Sequence, residues 1–288
     1  MKILIIGKGF IGSRCAQRWG GEAVVADKRI EAKQDVLDLL DKHKPDAVLN
    51  AAGVRGQPNV DWCESNQEET ILGNTKLPIL IAEGCQARGI YLLHIGSGCI
   101  FYGESPDPKG WKENDFGNPI PVYSRAKYAA DLVLSTLLNV GIARIRMPID
   151  YIPAPANLID KLAAYAKVID VENSVTIVED MIDVFYQLLE RRAEGIFHVT
   201  NPGTLKHREI IALYEELVDK KHKNEWISND DLVRQGLAVK GRSNNFLQSA
   251  NLEKLGIKMR PVQAAIRETM EKYAKCSRFL FFTSRRSK

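Results

Sequence analysis

The apolar run Ile3-Leu4-Ile5-Ile6, followed at once by glycines at 7, 9 and 12, constrains this chain more than any other feature. A short buried strand feeding a glycine loop, with a helix opening behind it, is the opening of a dinucleotide-binding βαβ unit. Each glycine has a physical task. One permits the tight turn, one lets backbone approach a diphosphate, and one lets the helix pack closely on the strand. The loop residues Gly7, Gly9, Phe10, Ile11 and Gly12 are therefore cofactor candidates, with the helix N-terminus facing the phosphates. An ordinary strand-to-helix turn is the bland alternative. The apolar stretch in MKILIIG is too short for a secretory leader.

Further apolar runs repeat the alternation. EAVVAD, DAVLNAAG, IYLLHIGSG and IARIRMP read as strands, and residues near 11–20, 33–43, 68–88 and 124–139 read as helices. The pattern predicts an α/β fold: a Rossmann doubly wound parallel sheet with a small C-terminal substrate-binding lobe. Residues 1–150, with about 168–200, form the NAD(P)-binding domain. Residues 151–167 and 201–275 form the lobe, entered through the proline-rich stretch DYIPAPAN. Residues 276–288 form a tail, apolar and then basic, with no assigned function. The 288 residues suit one large domain joined closely to a small one.

Composition excludes several classes. A net charge of +4 is too small to point to nucleic acid, and part of it sits at Arg278, Arg285, Arg286 and Lys288. No apolar run reaches the roughly 20 residues that span a bilayer. The five cysteines show no metal-ligand spacing, so no metal is expected. Their odd number fits free thiols in a reducing compartment, and the expected location is cytoplasmic.

The second strand ends at Asp27, placed to accept ribose hydroxyls of NAD(H). Lys28 and Arg29 follow, and these cations favour the 2′-phosphate of NADP(H). The expectation is NADP(H), with NAD(H) as the other option. Asn50, Ala51, Ala52 and Gly53 close another strand and suit a turn beneath the cofactor.

Tyr123 and Lys127 stand four apart, on one face of a helix. An ammonium beside a phenol lowers its pKa, so the pair can deliver a proton to a carbonyl oxygen. Both are also expected to touch the cofactor. Ser97, at the end of an earlier strand, adds a hydroxyl for the same carbonyl. Glycine loop, NAAG, Ser and YxxxK occur in the order used by short-chain dehydrogenases.

NAAGVRGQPNVDWCE (50–64), SGCIF (97–101), VYSRAK (122–127), RIRMPI (144–149), VTNPG (199–203) and GRSNN (241–245) narrow the match. From about residue 1 to 275 the chain resembles the plant-type bifunctional nucleotide-rhamnose synthases, which are related to bacterial dTDP-4-dehydrorhamnose reductase. The resemblance implies 3,5-epimerisation of an NDP-4-keto-6-deoxyglucose (UDP or dTDP), then NAD(P)H-dependent reduction at carbon 4. It also implies that a Cys and a Lys carry the epimerisation. These positions match Cys99 and Lys161, with Lys167 a nearby competitor. Cys99 follows Ser97 by two residues, so in extended chain both point the same way; a packed core thiol is the alternative. Arg242, Asn244 and Asn245 suit a diphosphate and sugar, and Asn59, Asp61 and Trp62 suit the sugar. The glycine loop is a residue shorter than in most extended members. The implied partner is a nucleotide sugar, and a homodimer is allowed. Two other readings stay open: a reductase alone, and a non-catalytic regulatory homologue.

Overall fold

A computed structural model describes residues 1–286. Six parallel strands form the central sheet: β1 (Ile3–Ile6), β2 (Ala23–Val25), β3 (Ala47–Asn50), β4 (Tyr91–Ser97), β5 (Val140–Ile145) and β6 (Gly195–His198). Their order is β6-β5-β4-β3-β1-β2. Apolar runs buried on both faces are what a parallel sheet covered by helices requires, and β1, β3 and β4 are buried at every residue. The first five are the strands expected from the sequence. GIFHVT joins this same sheet as its edge.

Helices cover both faces. On one side lie α1 (Phe10–Trp19) and a helix at Val178–Arg191, whose Met181, Phe185 and Leu188 meet Ile3, Ile5 and Leu49. On the other, α2 (Lys33–His43) and α3 (Leu77–Arg88) pack Val36, Leu40 and Ile81 against Leu4, Val48 and Leu92. The helix expected near 68–88 is interrupted by one π-helical turn, Leu72–Lys76. Buried Asn74 in that turn accepts the Val54 N–H and donates to the Val54 carbonyl, which fixes the loop after β3. α4 (Val122–Leu134) lies beside it, its first N–H taken by the Glu64 carboxylate at 2.8 Å.

After β5 the chain leaves the sheet. α5 (Leu158–Ala164), a return segment at 167–177, α7 (His207–Leu217) and α8 (Val262–Arg286) surround a second core that includes Ile149, Ile159, Val175, Ile210, Ile266 and Met270. The helix Val178–Arg191, α6 in chain order, carries the chain back to β6. α8 runs continuously from the second core through 276–286; residues 287–288 of the expected tail lie outside the described residues. Among the described residues no helix is long and apolar enough to cross a membrane.

The strands stay parallel, but the order in which they are added reverses at β1, with β2 on one side and β3 on the other. In open α/β sheets ligands bind outside the carboxyl ends of the strands at such a point. Gly7 and Ala51–Gly53 stand there, with Ser97 at the end of β4 and Arg146 just past β5.

Candidate active site

The glycine loop has the shape a diphosphate needs. A side chain on Gly7 would strike the Ala52 backbone at 2.5 Å, and Gly7 takes φ +107°. A side chain on Gly12 would sit 1.9 Å from the Gly7 carbonyl, so α1 packs directly on the turn. Gly9 faces open space, and no side chain caps α1. The free first-turn N–H groups of α1 are an anion cradle, and the residues present fit a dinucleotide. Past β2, Asp27 accepts from Lys42 at 2.8 Å. Lys28 bridges Asp35 and Asp38 at 2.6 and 3.2 Å. Arg29 is 89% exposed at its side chain, beside Glu31.

The three candidate catalytic groups come together, with one correction. Ser97 hydrogen-bonds Tyr123. Burial pushes the Tyr123 phenol well above its ordinary value, and Ser97 and Arg55 only partly offset this. Lys127 is not among the main influences on the phenol, against the expectation that it lowers it. Its ammonium nitrogen lies 2.6 Å from the Ile95 carbonyl and 3.3 Å from His94 Nε2. Burial brings Lys127 itself down to about 8, against the pull of Asp131. Asn50, expected beneath the cofactor, accepts the Ala52 N–H through Oδ1 and lies 2.9 Å from His94 Nδ1 through Nδ2.

The strand ends at Ser97, and Gly98–Ile100 make a 3₁₀ turn rather than extended chain. The Cys99 N–H donates to Ser97 Oγ at 3.1 Å. Half-buried Cys99 meets Arg146, whose Nη1 is 3.3 Å from Sγ. Arg146 is buried and also donates to Asn173, to Ser243 Oγ and to the Ser243 carbonyl. Lys161, on α5, interacts electrostatically with Cys99, Arg55 and Arg242; burial, with the two arginines, lowers it to about 8. Lys167 is elsewhere, paired with Gln235 and Glu225, so of the two lysines it is Lys161 whose charge is coupled to Cys99.

Arg242 grips Asp61 with two hydrogen bonds, 2.7 and 2.6 Å, joining the loop after β3 to the lobe. Asn59 accepts the Asp61 N–H, and half-buried Trp62 packs over Gly56. Asn244 contacts Asn173. Buried Asn245 donates to the Gly98 and Phe101 carbonyls and so holds the Ser97–Phe101 turn from behind.

His94, Arg146, Arg55 and Tyr102 were not singled out from the sequence. Two carried a signal: a His inside YLLHI and an Arg directly after the strand ending in Arg144-Ile145 are polar groups in or next to buried strands, which must find partners. Arg55 and Tyr102 sit in loops, where no periodicity marks them.

The chain matches the RmlD substrate binding domain over residues 1–275. It is 36% identical over 262 residues to a bifunctional dTDP-4-dehydrorhamnose 3,5-epimerase/dTDP-4-dehydrorhamnose reductase of Arabidopsis thaliana, covering 87% of this chain and 86% of that one. The chain belongs to the RmlD substrate-binding domain family. It is also 34% identical to an Arabidopsis trifunctional UDP-glucose 4,6-dehydratase/UDP-4-keto-6-deoxy-D-glucose 3,5-epimerase/UDP-4-keto-L-rhamnose-reductase, across 95% of this chain but 42% of the relative. The crystal structure of the L780 UDP-rhamnose synthase of Acanthamoeba polyphaga mimivirus superposes with a TM-score of 0.87 at 31% identity, covering 94% of this chain and 99% of that one. The family resemblance and the fold class expected from the motifs are both borne out.

Proposed function

We propose that this member of the family is an NADPH-dependent oxidoreductase that epimerises carbons 3 and 5 of an NDP-4-keto-6-deoxyglucose (UDP or dTDP) and reduces carbon 4, giving NDP-L-rhamnose. One feature supports the bifunctional reading: Cys99, after β4, and Lys161, on α5, are near enough for their charges to interact, and Cys99 acts likewise on Tyr123. A reductase needs only Ser97, Tyr123 and Lys127. The names of the relatives support the substrate class. The presence of all three reductase groups argues against a non-catalytic homologue.

Gly7, Gly9, Phe10, Ile11, Gly12 and Ala51–Gly53 would hold the dinucleotide, with Lys28 and Arg29 toward the adenosine ribose. The bound cofactor supplies the hydride for carbon 4. Arg242, Asn244, Asn59, Asp61 and Trp62 border the cleft that takes the sugar nucleotide. Ser97 and Tyr123 hydroxyls hold the carbon-4 oxygen. The ketone acidifies the C–H bonds at carbons 3 and 5, so a base can form an enolate whose oxygen those hydroxyls stabilise. Of Cys99 and Lys161, one takes the proton and the other returns one to the opposite face. Tyr123 then protonates the carbon-4 oxygen during reduction.

The test is deuterium exchange. In deuterated water without NADPH, the wild-type protein washes deuterium into carbons 3 and 5 of UDP-4-keto-6-deoxyglucose, read by NMR. Cys99→Ser loses exchange at one or both carbons, since a hydroxyl is a far weaker acid than a thiol. It retains NADPH binding. A wild type without exchange means a reductase alone. A Cys99→Ser that exchanges normally means a packed thiol.

A further inference from the structure

Three arginines are buried among the described residues: Arg14, Arg144 and Arg146. Two of them meet a carboxylate, Arg144 that of Asp131 at 2.8 Å and Arg14 that of Asp150. Arg146, just past β5, is held differently. Its Nη1 donates to Cys99 Sγ and to Ser243 Oγ, each at 3.3 Å. Its Nη2 donates to Asn173 Oδ1 and to the Ser243 carbonyl. Ser243 Oγ can accept, because its own hydrogen goes to the Phe101 carbonyl at 2.7 Å. Apart from the sulfur, then, these acceptors are neutral and stay neutral. An arginine keeps its charge when buried, and a buried charge without a counter-charge is costly. The ionisable groups that act on this one are Cys99 and Tyr102. Burial pushes the Tyr102 phenol up to about 12, so near neutral pH it keeps its proton. Among the described residues, the Cys99 sulfur is the atom in contact with this guanidinium that can become an anion.

We propose that Arg146 is a positioning residue for the epimerisation: its uncompensated guanidinium balances the negative charge that Cys99 Sγ carries whenever the thiol is without its proton. The proton transfer is balanced in both directions. When the thiol acts as the acid, the S–H pair stays on sulfur and the enolate's pair forms the new C–H bond. When the sulfur acts as the base, its pair takes the proton and the C–H pair passes into the enolate. Either way the anionic sulfur lies 3.3 Å from Nη1. The same contact orients the thiol, since a sulfur that accepts from Arg146 points its own hydrogen elsewhere. The groups around Cys99 are Arg146, Lys161 from α5, and the phenols of Tyr102 and Tyr123. Burial keeps both phenols protonated. Of the two cations, Arg146 is the one hydrogen-bonded to the sulfur. Asn245 supports it from behind, donating to Ser243 Oγ at 2.8 Å. The consequence for epimerisation rests on the proposed role of Cys99, whereas the effect of Arg146 on the sulfur does not.

Alkylation tests the proposal on the full chain, without substrate or turnover. Iodoacetamide reacts with the thiolate form of a cysteine, so its rate at one near-neutral pH, followed by mass spectrometry on the peptide that holds Cys99, reads the charge on that sulfur. Cys15, Cys63 and Cys85 are buried, and half-buried Cys276 is the internal reference. Arg146→Gln keeps hydrogen-bond donors but no charge. It should slow Cys99 alkylation about tenfold, the usual order for losing an opposite charge in contact, while Arg146→Lys stays nearer the wild type. A merely structural role predicts the opposite sign, because a loosened turn exposes the sulfur and speeds the reaction. An unchanged or faster rate in Arg146→Gln overturns the proposal. If Arg146→Gln does not fold, Asn173→Asp decides. That near-isosteric change keeps the acceptor for Arg146 and for the Asn245 N–H but sets a carboxylate on the guanidinium. The Cys99 rate should again fall, and a rate at or above the wild type overturns the proposal. The two readings fail separately. A wild type without deuterium exchange removes the epimerase and leaves these rates standing, whereas rates insensitive to Arg146 beside normal exchange remove only the role of Arg146.

Discussion

At the scale of single residues, the proposed reaction calls for two kinds of proton carrier. Tyr123 is held protonated by burial, which suits an acid, and Lys161 is brought to about 8, which suits a base near neutral pH. Tyr123→Phe removes the donor but leaves the glycine loop untouched. Reduction should fall about 10²–10⁴-fold while NADPH affinity, by fluorescence titration, stays near normal; unchanged turnover removes Tyr123 from the mechanism. For Lys161 the sign follows from its role. If the amine is the working base, deuterium exchange climbs as pH rises through about 8 and levels off above it. Lys161→Met lacks that limb; if wild-type exchange is flat from pH 7 to 9, Lys161 is not the base. The i,i+4 spacing made Tyr123 and Lys127 legible in the sequence, but not where the lysine points. That depends on His94 and Ile95, side by side in a neighbouring strand, and no pattern along α4 encodes them.

The cofactor loop is where single glycines act through an element. At Gly12 a methyl group collides with backbone, at 1.9 Å from the Gly7 carbonyl, so Gly12→Ala must push α1 off β1. At Gly9 the same methyl meets nothing; it projects only into the space where a diphosphate would lie. Gly12→Ala should therefore lower both thermal stability and NADPH affinity. Gly9→Ala should lower affinity with little change in melting temperature. Equal stability losses in calorimetry would mean that the loop geometry, not ligand space, dictates both glycines. The strands were legible because buried parallel strands are continuous apolar runs. The break at Leu72–Lys76 was not, since its cause is Asn74 reaching the loop at Val54, a tertiary contact. The same limit applied at Cys99. An extended continuation of β4 and a 3₁₀ turn share one local sequence, and Asn245, far along the chain, holds the turn through its carbonyls.

Across the whole molecule, the proposed epimerisation pair needs two lobes in fixed register, since Cys99 ends a sheet strand and Lys161 rides on α5. Arg14 of α1 is buried against Asp150, the first residue of the crossing segment, with Nη2 at 3.2 Å from Oδ1 and Nε closer to Oδ2. Asn157 then donates to the Asp150 carbonyl at 2.8 Å and, through its own oxygen, caps α5 at Ile159. The line from cofactor helix to Lys161 therefore runs through one buried ion pair. Such a pair gives little net stability against a well-packed apolar replacement, but removing one partner strands the other charge at a cost of about 3–5 kcal/mol. Asp150→Leu and Arg14→Met should each lower unfolding free energy in urea by that order, and the double variant should lose clearly less than either single one. Exchange at carbons 3 and 5 should follow the same ranking, because α5 loses its anchor when an unpaired charge seeks water. If the two losses simply add in the double variant, the residues act separately, and the register of Lys161 against Cys99 is set by the second core rather than by this pair.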